Sequence, residues 1–157
     1  MIQLIPMTEA DYADFMSVSM SCFAQDQVTA GEWQAEDAQQ NIEKLREKVL
    51  PNGLATPGQT FFTTQDAETV VGGLWYTFEE QNGERQLFVM DIEIYPEYRR
   101  HGYASQAFLA MEAQARELGI GTIAFHVFKH NHPARAMYKK LGYLGEEAMM
   151  WKKLGSG

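Results

Sequence analysis

The sequence predicts a single α/β domain, in the wide sense that includes α+β folds, with a central sheet flanked by helices. The chain has 157 residues, of which 45% are hydrophobic, and this is enough to bury a core without disulfides or metals. Apolar residues recur at strand spacing across residues 60–95 and at helical spacing on both sides of them. A nearly continuous apolar run at 122–128 is typical of a strand covered on both faces. The predicted order of elements is βααβββαβαββ.

The N-terminal part is predicted to contain an edge strand and two helices. A short apolar run closed by Pro6 predicts the strand. Thr8 is typical of a helix N-cap, and apolar residues then recur at helical spacing as far as Phe23. Residues 33–50 predict a second helix, which ends before Gly53.

Three strands are predicted next. Asn82-Gly83 is a tight-turn signal between the last two, and Gly72-Gly73 indicates a bulge or a close approach of another backbone segment. The three strand-like runs are residues 60–64, 69–78 and 86–95.

After Pro96 the apolar pattern becomes helical again. The elements predicted there are a helix at 104–118, a strand at 122–128, a helix at 133–141 and one or two closing strands within 143–154. The tail 155–157 (Gly-Ser-Gly) resembles an appended linker, so we expect one domain over residues 1–154 with the tail outside it.

Composition excludes several classes of protein. The lone Cys22 rules out a disulfide framework and a cysteine-based zinc site, and it suits a reducing compartment. The first residues lack the features of a signal peptide, and no run of 18 apolar residues exists. We therefore expect a cytoplasmic protein that does not bind membranes.

The charge is unevenly distributed along the chain. The formal net charge of −8 argues against a nucleic-acid partner. Residues 1–98 carry 17 acidic and four basic side chains, whereas residues 99–157 carry four acidic and nine basic ones. This split indicates two ligands of opposite charge, or else simply an unevenly charged surface.

A basic turn lies where the third of these strands meets the next helix. Residues 99–104 carry two arginines and a histidine, and small residues lead into the helix. The unpaired N–H groups of a helix's first turn bind anions, so this turn is a candidate phosphate site, or else a solvated turn. It is neither a P-loop nor a dinucleotide fingerprint, because Gly102 is its only glycine.

Two motifs resemble those of the GNAT superfamily of N-acetyltransferases. The basic turn (RRHGYA, residues 99–104) resembles the Q/R-x-x-G-x-G/A signature for acetyl-CoA. Residues 131–143 (NHPARAMYKKLGY) resemble the second signature, with its Asn, Ala, Tyr and closing Gly-aromatic pair. The resemblance covers nearly the whole chain, and it is greatest to small bacterial members. It implies a GNAT-like fold with a central mixed, mostly antiparallel sheet.

The resemblance also implies acetyl-CoA as co-substrate, and we expect no metal. Main-chain amides of the first signature would bind the pyrophosphate, the strand before it would bind pantetheine, and the second signature would add a pantetheine contact. Arg100 replaces a common glycine, so its side chain is either a phosphate ligand or solvated. The implied acetyl-CoA residues are Ile92, Ile94, Arg99, Arg100, His101, Gly102, Tyr103, Ala104, Ser105 and Asn131.

Three residues are candidates for catalysis. Transfer to an amine needs a base, because an alkylammonium is protonated at neutral pH. Asp91 and Glu93 alternate onto one face of a strand, and we rank Glu93 first and Asp91 second as the base. Alternatively, both only pair with basic side chains or bind a cationic substrate. The resemblance places Tyr138 near the thioester sulfur, as the acid for the leaving thiolate or as a core tyrosine.

We therefore expect an N-acetyltransferase that acts directly on a primary amine of a cationic acceptor, either a small molecule or a peptide. Alternatives are a non-catalytic acetyl-CoA-binding sensor or interaction module, and an acyltransferase for a longer acyl chain. The first two helices and the segment 23–33 are expected to line the acceptor site, with Trp75 and Tyr76 as candidate contributors. The acidic groups expected there are Asp91, Glu93 and either Glu79 or Glu80. The chain is expected to be a monomer or a homodimer.

Overall fold

A six-stranded mixed sheet forms the centre of the computed structural model, which describes residues 1–145 and 148–155. The strands lie side by side in chain order, and β4 and β5 are parallel whereas all other neighbours are antiparallel. The strands are β1 (Ile2–Pro6), β2 (Gln59–Asp66), β3 (Thr69–Gln81), β4 (Glu84–Ile94), β5 (Thr122–His126) and β6 (Met149–Lys153).

Helices cover both faces of the sheet, and the predicted fold class is confirmed. The α-helices are α1 (Glu9–Thr29), α2 (Ala38–Val49), α3 (Tyr103–Glu117) and α4 (His132–Lys140), with short 3-10 turns at Ala35–Asp37, Gly53–Ala55 and Pro96–Tyr98. Thr8 is the N-cap of α1, and its hydroxyl accepts a hydrogen bond from the main-chain N–H of Asp11 at 3.2 Å. The second helix, which the sequence predicts from residue 33, begins only at Ala38, after the 3-10 turn at Ala35–Asp37.

The end of the chain has one strand and one bridge where the sequence predicts one or two strands. Leu144 forms an isolated antiparallel bridge with Trp151 of β6. Of the predicted tail, Gly155 is described and exposed, whereas residues 156 and 157 lie outside the described residues, as do residues 146 and 147. The domain boundary at residue 154 stays a prediction.

Two apolar layers hold the helices to the sheet. On one face, α3 packs against β3, β4 and β5 through fully buried side chains such as Leu74, Leu87, Phe108, Met111 and Ile123. On the other face, α1 packs through a second cluster of Phe15, Met16, Phe61 and Trp75. The sheet is therefore the middle layer of three.

A buried charged group joins α3 to the C-terminal strand. Glu112 is 1% exposed, and its carboxylate accepts hydrogen bonds from Lys152 Nζ at 2.9 Å and from the Tyr143 hydroxyl at 3.1 Å. The same Lys152 Nζ donates to the carbonyl of Leu141, just beyond α4, at 2.7 Å. This paired charge connects α3, β6 and the end of α4.

Strands β4 and β5 stay together for only a short distance. They pair from Leu87 to Val89 of β4, opposite Ile123 to Phe125 of β5. The rest of β4 pairs with β3 but with no other strand in the described part of the chain. Met90 is an extra residue in the β3–β4 register, and such a bulge bends its strand. A wedge therefore opens between β4 and β5.

The glycine pair of β3 allows close approach beside this wedge, as the sequence predicts. A Cβ atom at Gly72 would overlap the main-chain carbonyl of Glu93, and one at Gly73 would overlap the ring of Phe15. β4 and α1 therefore come closer to β3 than any larger residue would permit.

We predict that Gly72→Ala lowers the free energy of unfolding by about 2 kcal/mol, because the added methyl group meets backbone that cannot rotate away. Urea unfolding followed by circular dichroism measures the change. Gly121→Ala is the matched control, because a Cβ there meets nothing within 4 Å, and it is expected to change stability by less than about 0.5 kcal/mol. Equal stability of both variants would contradict the close approach.

Candidate active site

The wedge between β4 and β5 opens into a cleft of about 1620 Å³. Its walls come from α1, β4, the turn between β4 and α3, the segment after β5, and α4. A pocket for one small molecule usually measures about 300–1,000 Å³, so this cleft has room for two substrates.

The turn from β4 to α3 forms the basic end of the cleft. Gly102 is the N-cap of α3 with a φ of 76°, and no side chain caps the helix. Residues 103–105 form the first turn and line the cleft. Because their N–H groups precede the first intrahelical hydrogen bond, this end carries the positive pole of the helix dipole. It is suited to binding an anion.

The two arginines of this turn differ in their contacts. Arg99 Nε donates to the carbonyl of Ile94 at 2.9 Å, so this side chain fixes the turn while also lining the cleft. Arg100 lines the cleft, is exposed, and has a φ of +67°. This left-handed conformation is unfavourable for any residue other than glycine.

The His101 and Tyr103 side chains of the turn contact each other and the neighbouring elements. The His101 ring stacks on Tyr103 with 5.7 Å between centroids, and its Nδ1 lies 3.0 Å from the carbonyl oxygen of Tyr98. His101 is not among the cleft-lining residues. The Tyr103 hydroxyl donates to Asp66 Oδ2 at 2.7 Å, which anchors the start of α3 to β2.

The remaining acetyl-CoA candidates lie on the two walls of the wedge. Ile92 and Ile94 belong to the part of β4 that has left β5, and both line the cleft. Asn131 is the N-cap of α4, where its Oδ1 accepts a hydrogen bond from the Ala134 N–H at 3.3 Å, and it lines the opposite wall.

Asp91 and Glu93 lie together on the floor of the cleft, on the face of β4 that is turned toward α1. Burial, the adjacent Asp91 charge and the hydrogen bond between the two carboxyls raise the pKa of Glu93 to about 10. The Arg99 guanidinium and the Cys22 thiol oppose this rise only in part.

Burial also raises the pKa of Asp91 above its usual range. Hydrogen bonding with Glu93, with Ser19 and with the main-chain N–H of Ile92 opposes that rise, whereas the charge of Asp26 adds to it. One oxygen, Oδ2, is buried without a hydrogen-bond partner among the described residues. Two adjacent buried carboxyls cannot both be ionised at low cost, so the pair carries at most one negative charge.

Tyr138 lies on α4 and lines the cleft. Its ring packs against Phe125 and Phe108, with centroids 4.6 and 5.2 Å away. Burial, together with the charges of Asp91 and Glu93, raises its pKa well above the ordinary value. The hydroxyl is therefore protonated at neutral pH and can donate a proton or a hydrogen bond.

A stripe of α1 residues also faces the cleft, on a helix that the sequence predicts to line the acceptor site, although the sequence did not single out Ser19 or Cys22 for that role. Ser19, Cys22, Phe23 and Asp26 recur at helical spacing and all line it. Burial, followed by the charges of the carboxyl pair, raises the pKa of Cys22 to about 11, so the thiol is not a nucleophile at neutral pH. The spacing of Ser19, Cys22 and Asp26 along the predicted helix is the sequence signal that places them on one face.

Two contacts join α1 to the segment after β5 across the cleft. Asp26 Oδ1 lies 3.0 Å from His130 Nε2, and the rings of Phe23 and Phe128 are 5.9 Å apart. His130 therefore has a carboxylate partner on α1. No group of three or more potential metal ligands exists within the described residues.

Some expected acceptor residues lie elsewhere. Trp75 lines the cleft, but Tyr76 faces α3, where its hydroxyl donates to Gln114 Oε1 at 3.3 Å. Strand alternation puts Tyr76 on the face opposite to Trp75, so its predicted role is wrong. Glu79 and Glu80 lie far along β3 from the wedge and do not line the cleft.

Comparison with known proteins identifies the family. The model of the acetyltransferase (GNAT) family matches residues 18–143. The chain belongs to this family. It is 34% identical over 154 residues to the N-acetyltransferase YycN of Bacillus subtilis (strain 168), covering 98% of this chain and 99% of that protein. The crystal structure of YycN superposes with a TM-score of 0.87 at 32% identity over 94% of each chain.

More distant GNAT structures share the fold. PaiA N-acetyltransferase from Thermoplasma acidophilum, in complex with coenzyme A, has a TM-score of 0.70 at 19% identity and covers 98% of this chain and 99% of its own. Spermidine N-acetyltransferase from Vibrio cholerae, in complex with CoA and spermine, has a TM-score of 0.69 at 16% identity and covers 98% and 95%. As a member of the GNAT family, this 157-residue protein is an acetyl-CoA-dependent acyltransferase.

Within the described residues, no helix is both long enough and apolar enough to span a membrane.

We predict that Arg100→Gly stabilises this GNAT enzyme but weakens its binding of acetyl-CoA. Glycine relieves the left-handed strain of the folded state but makes the unfolded chain more flexible, which favours unfolding. The free energy gained from the first effect should exceed the free energy lost through the second by about 0.5 kcal/mol. Loss of the guanidinium is expected to raise the Kd for acetyl-CoA about tenfold. Thermal unfolding and isothermal titration calorimetry measure the two effects.

Arg100→Ala is the matched control, because it removes the guanidinium but keeps the strained Cβ. It should weaken binding to the same degree without the gain in stability. Unchanged affinity in both variants would show that the Arg100 side chain is solvated.

Proposed function

We propose that this enzyme transfers the acetyl group of acetyl-CoA directly to a primary amine of a cationic acceptor, with Asp91 and Glu93 as the base and Tyr138 as the acid. We further propose that a single domain over residues 1–154 performs the whole reaction. The observation that carries the proposal is the pair of adjacent buried carboxyls, one with an unpartnered oxygen, on the floor of a cleft with a basic end.

The chain offers binding groups along the length of acetyl-CoA. The N–H groups of residues 103–105, with Arg99 and Arg100, fit a pyrophosphate, and Gly102 lets the turn approach it closely. The edge of β4 at Ile92 and Ile94 fits the amide groups of pantetheine, because peptide groups that have left a strand partner need hydrogen bonds. Asn131 lies on the facing wall. The thioester supplies an acyl carbon that is already activated.

The carboxyl pair would prepare the amine. An acceptor that enters as an ammonium ion gives one proton to the ionised carboxyl, and its nitrogen lone pair then attacks the thioester carbon. The C–S bond breaks as the N–C bond forms. Tyr138 gives its proton to the sulfur and takes the second proton of the nitrogen. The first proton leaves to solvent from the carboxyl pair, so the protons balance.

Charge and aromatic surface support a cationic acceptor. Asp26 and Glu32 line the α1 side of the cleft, in addition to the carboxyl pair. Phe23, Trp75 and Phe128 provide apolar surface in the same region, and aromatic rings also attract cations. A polyamine, an aminoglycoside, an amino-acid derivative or a peptide amine satisfies these features. The spermidine N-acetyltransferase structure holds spermine together with CoA in the same fold, which supports a polyamine among these candidates.

The decisive experiment measures release of CoA thiol from acetyl-CoA in the presence of different amines. We expect dicationic amines to react with a kcat/KM about tenfold or more above that of monoamines of equal chain length, because of the acidic wall. The variant with both Asp91→Asn and Glu93→Gln is the control and should release almost no thiol. If acetyl-CoA raises the Tm but no amine releases thiol, the protein is a non-catalytic binding module.

We predict that Tyr138→Phe lowers kcat by about 100-fold, because a general acid contributes about that much or more. The Kd for acetyl-CoA should change less than about twofold, because the phenylalanine ring still packs on Phe108 and Phe125. Steady-state kinetics and calorimetric titration measure both quantities.

Tyr143→Phe is the matched control for Tyr138→Phe. Tyr143 belongs to the same aromatic cluster, but its hydroxyl bonds to Glu112 and does not line the cleft. This variant should lose stability and keep kcat. An unchanged kcat in Tyr138→Phe would rule out the acid role.

A further inference from the structure

Helix α1 and the segment that follows β5 touch each other across the cleft through two side-chain contacts. Asp26 Oδ1 lies 3.0 Å from His130 Nε2, and we call these two residues the cross-cleft pair. The rings of Phe23 and Phe128 pack beside it with their centroids 5.9 Å apart, and the Phe128 ring also packs on the His130 ring at 5.3 Å. All four residues line the cleft. A carboxylate is therefore fixed on the acceptor side of the cleft, next to aromatic surface.

The cross-cleft pair lies at the open end of the stripe that α1 presents to the cleft. Ser19, at the other end of the stripe, is only 2% exposed. The side chains of Asp26 and His130 are 34% and 33% exposed. Asp26 follows Ser19 by seven positions in the same helix, which is about 10 Å along a helix axis. The Asp26 carboxylate is therefore accessible to a ligand and lies well away from the buried end of the cleft wall.

His130 uses only part of the hydrogen-bonding capacity of Asp26. A carboxylate has two oxygens with about four lone-pair sites, and the contact with His130 is made at Oδ1. An imidazole donates an N–H even in its neutral form, so this contact need not cancel the charge of the carboxylate. Oδ2 is thus able to accept a second donor while His130 holds the side chain in place. A group fixed in this way loses less conformational freedom when it binds a ligand.

The floor of the cleft offers a second, separate place for a positive group. Asp91 Oδ2 is buried and has no hydrogen-bond partner among the described residues. An ammonium ion carries the N–H donors that such an oxygen lacks. The Phe23 and Phe128 rings beside the cross-cleft pair favour the methylene chain of an aliphatic amine, because contact with them removes apolar surface from water. Two acidic points with apolar surface beside one of them match a linear amine that is charged at both ends.

We propose that Asp26, held by His130, is the subsite for the second cationic group of a linear diamine or polyamine whose first amine reacts at the carboxyl pair. The inference rests on the proposed function of the cleft. It makes Asp26 a specificity-determining residue and His130 a positioning residue, and neither takes part in the transfer itself. The methylene chain between the two amines would lie along the Phe23 and Phe128 rings.

The first experiment measures thiol release with α,ω-diamines from propanediamine to decanediamine, each compared with the monoamine of equal chain length. Asp26→Asn should raise the KM of the longer diamines about tenfold, because a charge-assisted hydrogen bond is lost. Their kcat should stay within about twofold of wild type, because the carboxyl pair is untouched. Monoamines and propanediamine, which is too short to reach Asp26, should keep their KM within about twofold.

Asp14→Asn is the matched control for Asp26→Asn. Asp14 lies on the same helix, is exposed and does not line the cleft, so this variant removes the same charge away from the acceptor. It should leave the KM of every amine within about twofold of wild type. An equal rise in both variants would mean that only the overall charge attracts the amine, and it would overturn the subsite. An equal rise for monoamines and diamines in Asp26→Asn would also overturn it.

The second experiment tests the part of His130. His130→Ala leaves the Asp26 carboxylate but no longer fixes it, so the KM of the longer diamines should rise about threefold while that of monoamines stays unchanged. His130→Gln keeps an N–H donor and should restore the wild-type KM. An equal rise for monoamines would show that the cross-cleft pair only braces the cleft. A lower KM in His130→Ala would show that His130 competes with the amine. Either result would overturn the positioning role.

A binding measurement decides the matter without turnover. Octanediamine is titrated by calorimetry into the full-length protein saturated with CoA. Its Kd should be about tenfold higher for Asp26→Asn than for wild type or Asp14→Asn. Equal Kd values, or no binding to the wild-type protein, would overturn the subsite. Binding that depends on Asp26 without thiol release from any amine would support the subsite and contradict the proposed function.

Discussion

The short pairing of β4 with β5 is the constraint on which the rest of the site depends. Three residue pairs hold the strands together before the extra residue Met90 bends β4 away. On the side that faces β5, the peptide groups of β4 beyond Val89 then face a cleft instead of a neighbouring strand, while the other side still pairs with β3. Such groups need hydrogen-bond partners, and a substrate with amide groups is able to supply them. The wedge therefore creates both the space for a substrate and part of the chemistry that binds it.

The cleft that opens where β4 leaves β5 has a basic region and an acidic region. The basic end of the cleft is the turn that follows β4, where Arg99, Arg100 and the start of α3 are found. The acidic floor is β4 itself, with Asp91 and Glu93 turned toward α1. Because one strand carries the acidic residues and leads directly into the basic turn, an acidic and a basic region lie within one cleft. A net charge of −8 conceals this arrangement.

Packing on both sides keeps the cleft in place. On the α1 side, Gly72 and Gly73 let β4 and α1 approach β3 closely, which brings Ser19 and Cys22 against the carboxyl pair. On the opposite face, the buried Glu112 holds Lys152, which also binds the main chain just beyond α4. Tyr138 is carried by that helix. The reactive groups thus depend on contacts outside the cleft.

The sequence by itself determined the fold class, the family, the basic turn and the two carboxyls of β4, because these follow from local periodicity and from contiguous motifs. Only the tertiary structure decided what faces the carboxyl pair, since Ser19 and Asp91 are far apart in the chain and meet through the packing of α1 on the sheet. It also placed Tyr76 on the α3 face and Trp75 in the cleft, and it paired His130 with Asp26. Proton affinity in a buried pair depends on such neighbours, and spacing along the chain does not reveal them.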